Sequence, residues 1–205
     1  MDNMDTRDQV VALAGSLFDR GYSVGSAGNI SVRIPGGYLM TPTNSSLGRL
    51  DPARLSVLDE DFVHTAGDPP SKEIPMHKAV YEARPDTGAL VHLHSTHVTA
   101  LSCLWVPGEP LIPPLTPYFV MRVGADVPVV PYFRPGSADV VDEIRDAARR
   151  GPAVILAHHG SLVAGSSLVA AVNAAEELEV TAQLALLLRG SQPRTLDAEQ
   201  VAELL

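Results

Sequence analysis

The chain has 205 residues, 45% of them hydrophobic and 19% charged, and a formal net charge of −9, values that suit one globular domain with a sizeable core. An acidic surface repels polyanions, which excludes nucleic acid and anionic membrane as main partners. No stretch reads as a signal peptide and no apolar run approaches the roughly 20 residues needed to cross a bilayer, so a cytoplasmic location is expected.

Cys103 is the only cysteine, which excludes an intrachain disulfide and a thiolate zinc cluster. It is expected as a small core residue of the helix in which it falls. Proline and glycine punctuate the chain often, without a long linker, repeat or low-complexity tract, so residues 1–205 read as one domain of many short elements.

In chain order, Asp5 or Thr6 can cap a first helix in which Val10, Leu13, Ala14, Leu17 and Phe18 recur at helical spacing, with Gly21 as the stop. Residues 28–34 read as a strand, Pro35-Gly36-Gly37 as a turn, and 38–41 as an antiparallel partner. Gly25-Ser26-Ala27-Gly28-Asn29 and Thr41-Pro42-Thr43-Asn44-Ser45-Ser46 are small-residue loops at strand ends, of a kind whose N–H groups can cradle phosphate; most such clusters are plain turns. Ser71 opens a helix that runs to Arg84-Pro85. Ser71-Lys72-Glu73 places a hydroxyl, N–H groups and a lysine charge at its N-terminus, where the dipole favours an anion, or else forms a simple N-cap. Glu73 is either a first-turn residue suited to that dipole or an acid/base group, and the second role calls for a pKa raised toward neutrality by partial burial.

The next strand, 89–94, carries Val91-His92-Leu93-His94. Alternation sends Val91 and Leu93 into a core and His92 and His94 together to the other face. Their Cα atoms lie roughly 7 Å apart, from which two imidazoles can converge on one ion about 2 Å from each nitrogen. Two surface histidines, or core histidines bonded to backbone, would give the same pattern. A third histidine is available in Ala157-His158-His159-Gly160.

Residues 96–104 read as a short helix, 107–117 as an irregular proline-rich connection, 127–133 as a strand and 137–150 as a helix. Strands at 153–157 and 161–164 flank the His-His-Gly turn, and a last helix runs from 168 to 189, stopped by Gly190. Its Ala- and Leu-rich inner stretch calls for burial on more than one side, against the sheet or a subunit interface. Hairpins and helices in this order indicate an α/β fold, a three-layer α/β/α sandwich with a mostly antiparallel central sheet.

Taken jointly, Gly28-Asn29-Ile30-Ser31, Thr41-Pro42-Thr43, Ser71-Lys72-Glu73, His92-x-His94 and His159-Gly160 resemble the class II aldolase/adducin family in order and spacing, over nearly the whole chain. His94-Ser95-Thr96-His97, Pro114-Leu115-Thr116-Pro117-Tyr118 and Pro131-Tyr132-Phe133-Arg134-Pro135-Gly136 look like its 3-oxo-tetronate 4-phosphate decarboxylase branch, related to fuculose-phosphate aldolase and ribulose-phosphate 4-epimerase.

The resemblance implies that His92, His94 and His159 bind a divalent ion, most often Zn²⁺, with another divalent metal as the alternative. His159 is preferred to His158 because the family ligand directly precedes the glycine; His158 stands where asparagine is common. Glu73 matches the catalytic acid/base. Asn29, Thr43, Asn44, Ser71 and Lys72 match the phosphate pocket. Asn44 stands where relatives usually have glycine, and asparagine tolerates a left-handed backbone better than most residues. Tyr118 matches a tyrosine that in aldolase relatives reaches a neighbouring subunit's site as a proton donor. A homotetramer with sites at subunit boundaries is implied as well.

The implied reaction is decarboxylation of a 3-oxo-tetronate 4-phosphate to dihydroxyacetone phosphate and CO₂ through a zinc-stabilised enediolate, which Glu73 or Tyr118 protonates. Arg122 and Arg134 either contact the substrate carboxylate or are surface or interface charges. A class II aldolase cleaving a sugar 1-phosphate would form the same enediolate by expelling an aldehyde. A non-catalytic, adducin-like interaction domain is the alternative of another class, and a zinc hydrolase has only the histidines in its favour.

Overall fold

The computed structural model describes residues 5–134 and 139–205. In chain order these form α1 (Thr6–Asp19), β1 (Asn29–Ile34), β2 (Gly37–Met40), β3 (Ser56–Leu58), β4 (His64–Ala66), α2 (Ile74–Ala83), β5 (Ala89–Leu93), α3 (Thr96–Ser102), α4 (Pro117–Val123), β6 (Val129–Val130), α5 (Val141–Arg150), β7 (Ala153–Leu156), β8 (Gly160–Gly165), α6 (Leu168–Leu187) and α7 (Ala198–Ala202). The strands make one mixed sheet in the order β4-β3-β2-β1-β5-β8-β7-β6. Every neighbouring pair is antiparallel except β6 with β7.

Strand alternation divides the core in two. Ile30, Val32, Ala89, Val91, Leu93, Ile155 and Val163 pack beneath α1, α3, α4 and α6. Tyr38, Met40, Leu90, Val154, Leu156 and Leu162 pack beneath α2 and α5. The three-layer α/β/α arrangement expected from the sequence is therefore present. Val91 and Leu93 belong to the first core, so His92 between them faces the α2 side. No helix among the described residues is long and apolar enough to cross a membrane.

Several boundaries differ from expectation. The strand foreseen at 127–133 contracts to Val129–Val130, because Pro128 and Pro131 bracket it and contribute no N–H to a ladder. The helix foreseen from Ser71 begins at Ile74, with Pro75 in its first turn, where a missing N–H does no harm. Of the helix foreseen over 137–150 the observed part is Val141–Arg150; residues 137 and 138 lie outside the described residues. Helix α4 was not foreseen. It starts at Pro117 and is capped by Thr116, whose Oγ accepts from the Phe119 N–H at 3.2 Å.

Cys103 is exposed, contrary to the core position expected. It caps the C-terminus of α3, whose inward stripe is Val98, Leu101 and Ser102; the 3.6-residue period sends position 103 the other way. Helix α6 matches its forecast closely. Its buried Glu179 accepts from Ser95 Oγ at 2.6 Å, the backbone N–H groups of His97 and Val98 at 2.8 and 2.9 Å, and His97 Nδ1 at 2.8 Å. That one carboxylate satisfies the start of α3 and fixes the chain just after His94.

Candidate metal centre

His92 lies on β5, His94 just past its end, His159 immediately before β8, and Glu73 at the N-terminus of α2. Their candidate ligand atoms all fall within 4.8 Å of one another. The His92 and His94 Nε2 atoms are 2.9 Å apart. Glu73 Oε2 stands 3.3 Å from His92 Nε2, and its Oε1 3.4 Å from His159 Nε2. His158 is outside the cluster, exposed, with its ring 6.0 Å from that of Tyr132.

Two glycines permit this convergence. Gly28, at φ +77°, lies so near β5 that a Cβ would stand 2.8 Å from the His92 carbonyl oxygen. Gly160 abuts β5 from the other side, so β1 and β8 clasp the histidine strand.

The donor chemistry fits a divalent cation. His92 Nδ1 donates to the Ser161 carbonyl at 2.8 Å, which turns its unprotonated Nε2 toward the cluster. Burial is the main cause pushing His92 down to about 4 and His94 below its ordinary value. Both are therefore neutral near pH 7, with lone pairs to offer. Three imidazoles and a carboxylate form the nitrogen and oxygen donor set that suits Zn²⁺. Among the described residues His159 Nδ1 is buried with no hydrogen-bond partner, where His92 has a backbone anchor.

Glu73 reverses one expectation. Burial alone would raise its pKa, but the hydrogen bond with His159, the electrostatic interaction with the adjacent His92 imidazole and the Asn29 amide outweigh that and hold the carboxyl well below the usual carboxylate range. It is a carboxylate at rest, and lacks the raised pKa that the sequence reading attached to the acid/base role. Asn29 Nδ2 donates to Glu73 Oε2 at 2.6 Å.

The loops matched to the phosphate pocket are neighbours. The Thr43 N–H donates to the Pro69 carbonyl at 2.9 Å and Pro42 bridges to Pro70, bringing Thr43 and Asn44 beside the segment that leads to Ser71 and Lys72. Asn44 has φ +56°, the left-handed conformation that asparagine accommodates. Ser71 is buried and its Oγ accepts from the Glu73 N–H at 3.3 Å; Lys72 is exposed.

Tyr118 and Arg122 are not brought to the cluster. Tyr118 projects from α4 and is 62% exposed, with the Arg122 guanidinium over its ring. Arg122 lines a cleft with Arg84, Thr87, Gly165 and Asn173. Gly165 pairs with Ala89 at the opposite end of β5 from the histidines. Arg134 is exposed beside Phe133, whose ring lies 6.1 Å from His159. Phe133 entered the sequence reading only within the branch-like motif and not as a site residue, and His77, which hydrogen-bonds to Asn29, did not enter it; a histidine on the inner face of α2 one turn after Glu73 was the available signal.

The Class II Aldolase and Adducin N-terminal domain matches residues 8–186. A Haemophilus influenzae protein named 3-oxo-tetronate 4-phosphate decarboxylase is 47% identical over 100% of this chain and 98% of its own length. An Escherichia coli L-fuculose phosphate aldolase is 36% identical over 87% of this chain and 81% of its own. The crystal structure of YgbL from Klebsiella pneumoniae, described as an aldolase/epimerase/decarboxylase, superposes with a TM-score of 0.91 at 48% identity, covering 97% of each chain. With the fold, the histidine cluster and these matches in agreement, the chain belongs to the class II aldolase/adducin family.

Proposed function

We propose that this protein is a metal-dependent carbon–carbon lyase that decarboxylates a 3-oxo-tetronate 4-phosphate to dihydroxyacetone phosphate and CO₂. The observation that carries this is the convergence of His92, His94, His159 and Glu73 on one point. Identity of 47% to a full-length relative named for that reaction supports the substrate. Zn²⁺ is the proposed metal, held by the three histidines; when bound, a divalent cation supplies Lewis-acid polarisation of a ketone and charge stabilisation for an enediolate.

The chain's own groups account for the rest. Thr43, Asn44, Ser71 and Lys72 hold the phosphate through hydroxyl, amide and ammonium donors. Asn29 orients Glu73 and keeps a second amide hydrogen for the substrate. The scissile carboxylate is β to the ketone, so its departing electron pair flows onto the C3 oxygen. Glu73, ionised at rest, takes the proton of the C2 hydroxyl and returns it to C2 once CO₂ has left; water then restores the proton on oxygen, so one proton is consumed per turnover. Tyr118 is the other proposed donor and would act from a neighbouring subunit.

Exposure of Tyr118 and Met121 on α4 and of Val169 and Val180 on α6 favours association of copies. The proposed form is a cytoplasmic homotetramer of a 1–205 domain. An aldolase acting on a sugar 1-phosphate is the second reading, favoured by the 36% identity to the fuculose-phosphate enzyme. The complete donor set weighs against a non-catalytic interaction domain.

Incubating zinc-loaded protein with 3-oxo-tetronate 4-phosphate made in situ by a kinase, and separately with fuculose 1-phosphate, tests the proposal. Equal release of CO₂ and dihydroxyacetone phosphate from the oxo acid, above its spontaneous decay, supports it. Dihydroxyacetone phosphate from the sugar phosphate alone replaces it with the aldolase, and no product from either returns the chain to the interaction-domain class.

A further inference from the structure

Behind Glu73 lies a buried chain of polar groups that metal binding and phosphate binding leave unexplained. His77, Ser31 and Tyr81 are almost wholly inaccessible, as is Asn29. Asn29 Oδ1 stands 2.5 Å from His77 Nε2, His77 Nδ1 2.7 Å from Ser31 Oγ, and Ser31 Oγ 3.1 Å from the Tyr81 hydroxyl, which also donates to the Ser31 carbonyl at 3.1 Å.

The direction of each bond from Glu73 to Ser31 follows from the carboxylate at the end of the chain. Ionised Glu73 only accepts, so Asn29 presents Nδ2 to it and turns Oδ1 to His77. An amide oxygen only accepts as well, so His77 Nε2 carries the hydrogen. His77 Nδ1 is then a lone pair, filled by the Ser31 hydroxyl.

We infer that His77 is a positioning residue: as a neutral Nε2–H donor it locks the Asn29 amide, and the locked amide aims the Glu73 carboxylate at the ligand cluster. Without that donor the amide can turn over and set Oδ1 against Glu73 Oε2, two acceptors facing at hydrogen-bond distance. The carboxylate would then swing away. An amide does not hand a proton from its nitrogen to its oxygen, so the chain is no proton wire and His77 supplies orientation only. Register explains why the sequence can build this. Asn29 and Ser31 share the α2-facing side of β1, and His77 and Tyr81 are four residues apart on the inner face of α2. The inference rests on Glu73 being the acid/base.

The test uses zinc-loaded full-length protein, assayed on whichever of the two phosphates the wild type turns over. In His77→Gln the amide N–H can replace Nε2–H; in His77→Asn the shorter side chain leaves Asn29 without its donor. His77→Asn is expected to lose about 10²-fold in kcat, with KM changed less than about threefold and zinc stoichiometry unchanged, while His77→Gln stays within about fivefold. Wild-type turnover in His77→Asn, equal impairment of both variants, or a loss that tracks loss of zinc overturns it.

Should neither variant fold, long-range ¹H–¹⁵N spectra of the wild-type holoenzyme decide: an Nε2–H neutral tautomer for His77 supports the inference and an Nδ1–H tautomer overturns it. Glu73→Gln serves as the separate control. If it keeps full turnover, the acid/base role fails and takes the inference with it. If it abolishes turnover while His77→Asn does not, the inference alone fails.

Discussion

Gly160 and Leu93 meet so closely that a Cβ on the glycine would stand 2.1 Å from the Leu93 carbonyl oxygen. Leu93 lies between His92 and His94, and Gly160 follows His159, so this contact sets how near the third imidazole comes to the other two. With φ at +157° the glycine is also in a backbone conformation that other residues rarely adopt. Gly160→Ala is expected to cost on the order of 3 kcal/mol and to weaken metal binding, read by denaturant unfolding and zinc titration. Wild-type stability and affinity in this variant would show that the contact does not set the site.

The choice between adjacent histidines has its own test. His158 is exposed, at φ +61°, with its N–H bonded to Ser102 Oγ, a backbone that asparagine can share. His158→Asn should retain one zinc per chain by mass spectrometry after gel filtration, whereas His159→Asn should lose most of it. The reverse pattern would move the ligand to His158.

Acid should destabilise the metal-free protein through His77. Burial is the main cause pushing this histidine down to about 3, against about 6.5 in an unfolded chain. Between those values the unfolded state binds a proton that the native state does not, so stability is fully present above about pH 6.5 and falls as pH drops toward 3. The slope from this group approaches about 1.4 kcal/mol per pH unit. Urea unfolding at several pH values measures it, with His77→Gln expected to flatten the curve; a slope identical in the two proteins would assign the acid sensitivity elsewhere.

If Glu73 returns the proton to carbon from one face, turnover in D₂O should place one deuterium in the hydroxymethyl group of dihydroxyacetone phosphate, in a single configuration. Glu73→Gln should lower kcat by about 10²–10⁴ while keeping zinc. NMR analysis of the product reads the first; a racemic label would mean that solvent delivers the proton unaided.

The histidine pair was legible because it depends on a two-residue period within one strand. Its partners could be placed only because spaced motifs matched a family pattern. Helix α4 was not legible, since its seven residues are too few to show a period and follow a proline-rich stretch. The Tyr81–Ser31–His77–Asn29 chain was invisible for another reason: its bonds join residues 46 to 50 positions apart, and only the pairing of β1 with α2 across the sheet face brings them together. The ionised state of Glu73 was not legible, because the groups that outweigh burial there, His159, His92 and Asn29, are gathered around the carboxylate only by folding.

The most direct measurement is CO₂ release from 3-oxo-tetronate 4-phosphate by the purified protein, before and after removal of metal by chelator and again after zinc is restored, with His92→Ala beside it. Release above the spontaneous rate should vanish on chelation, return with zinc, and be absent in His92→Ala. Release that ignores the chelator or survives in His92→Ala would contradict a reaction centred on these histidines.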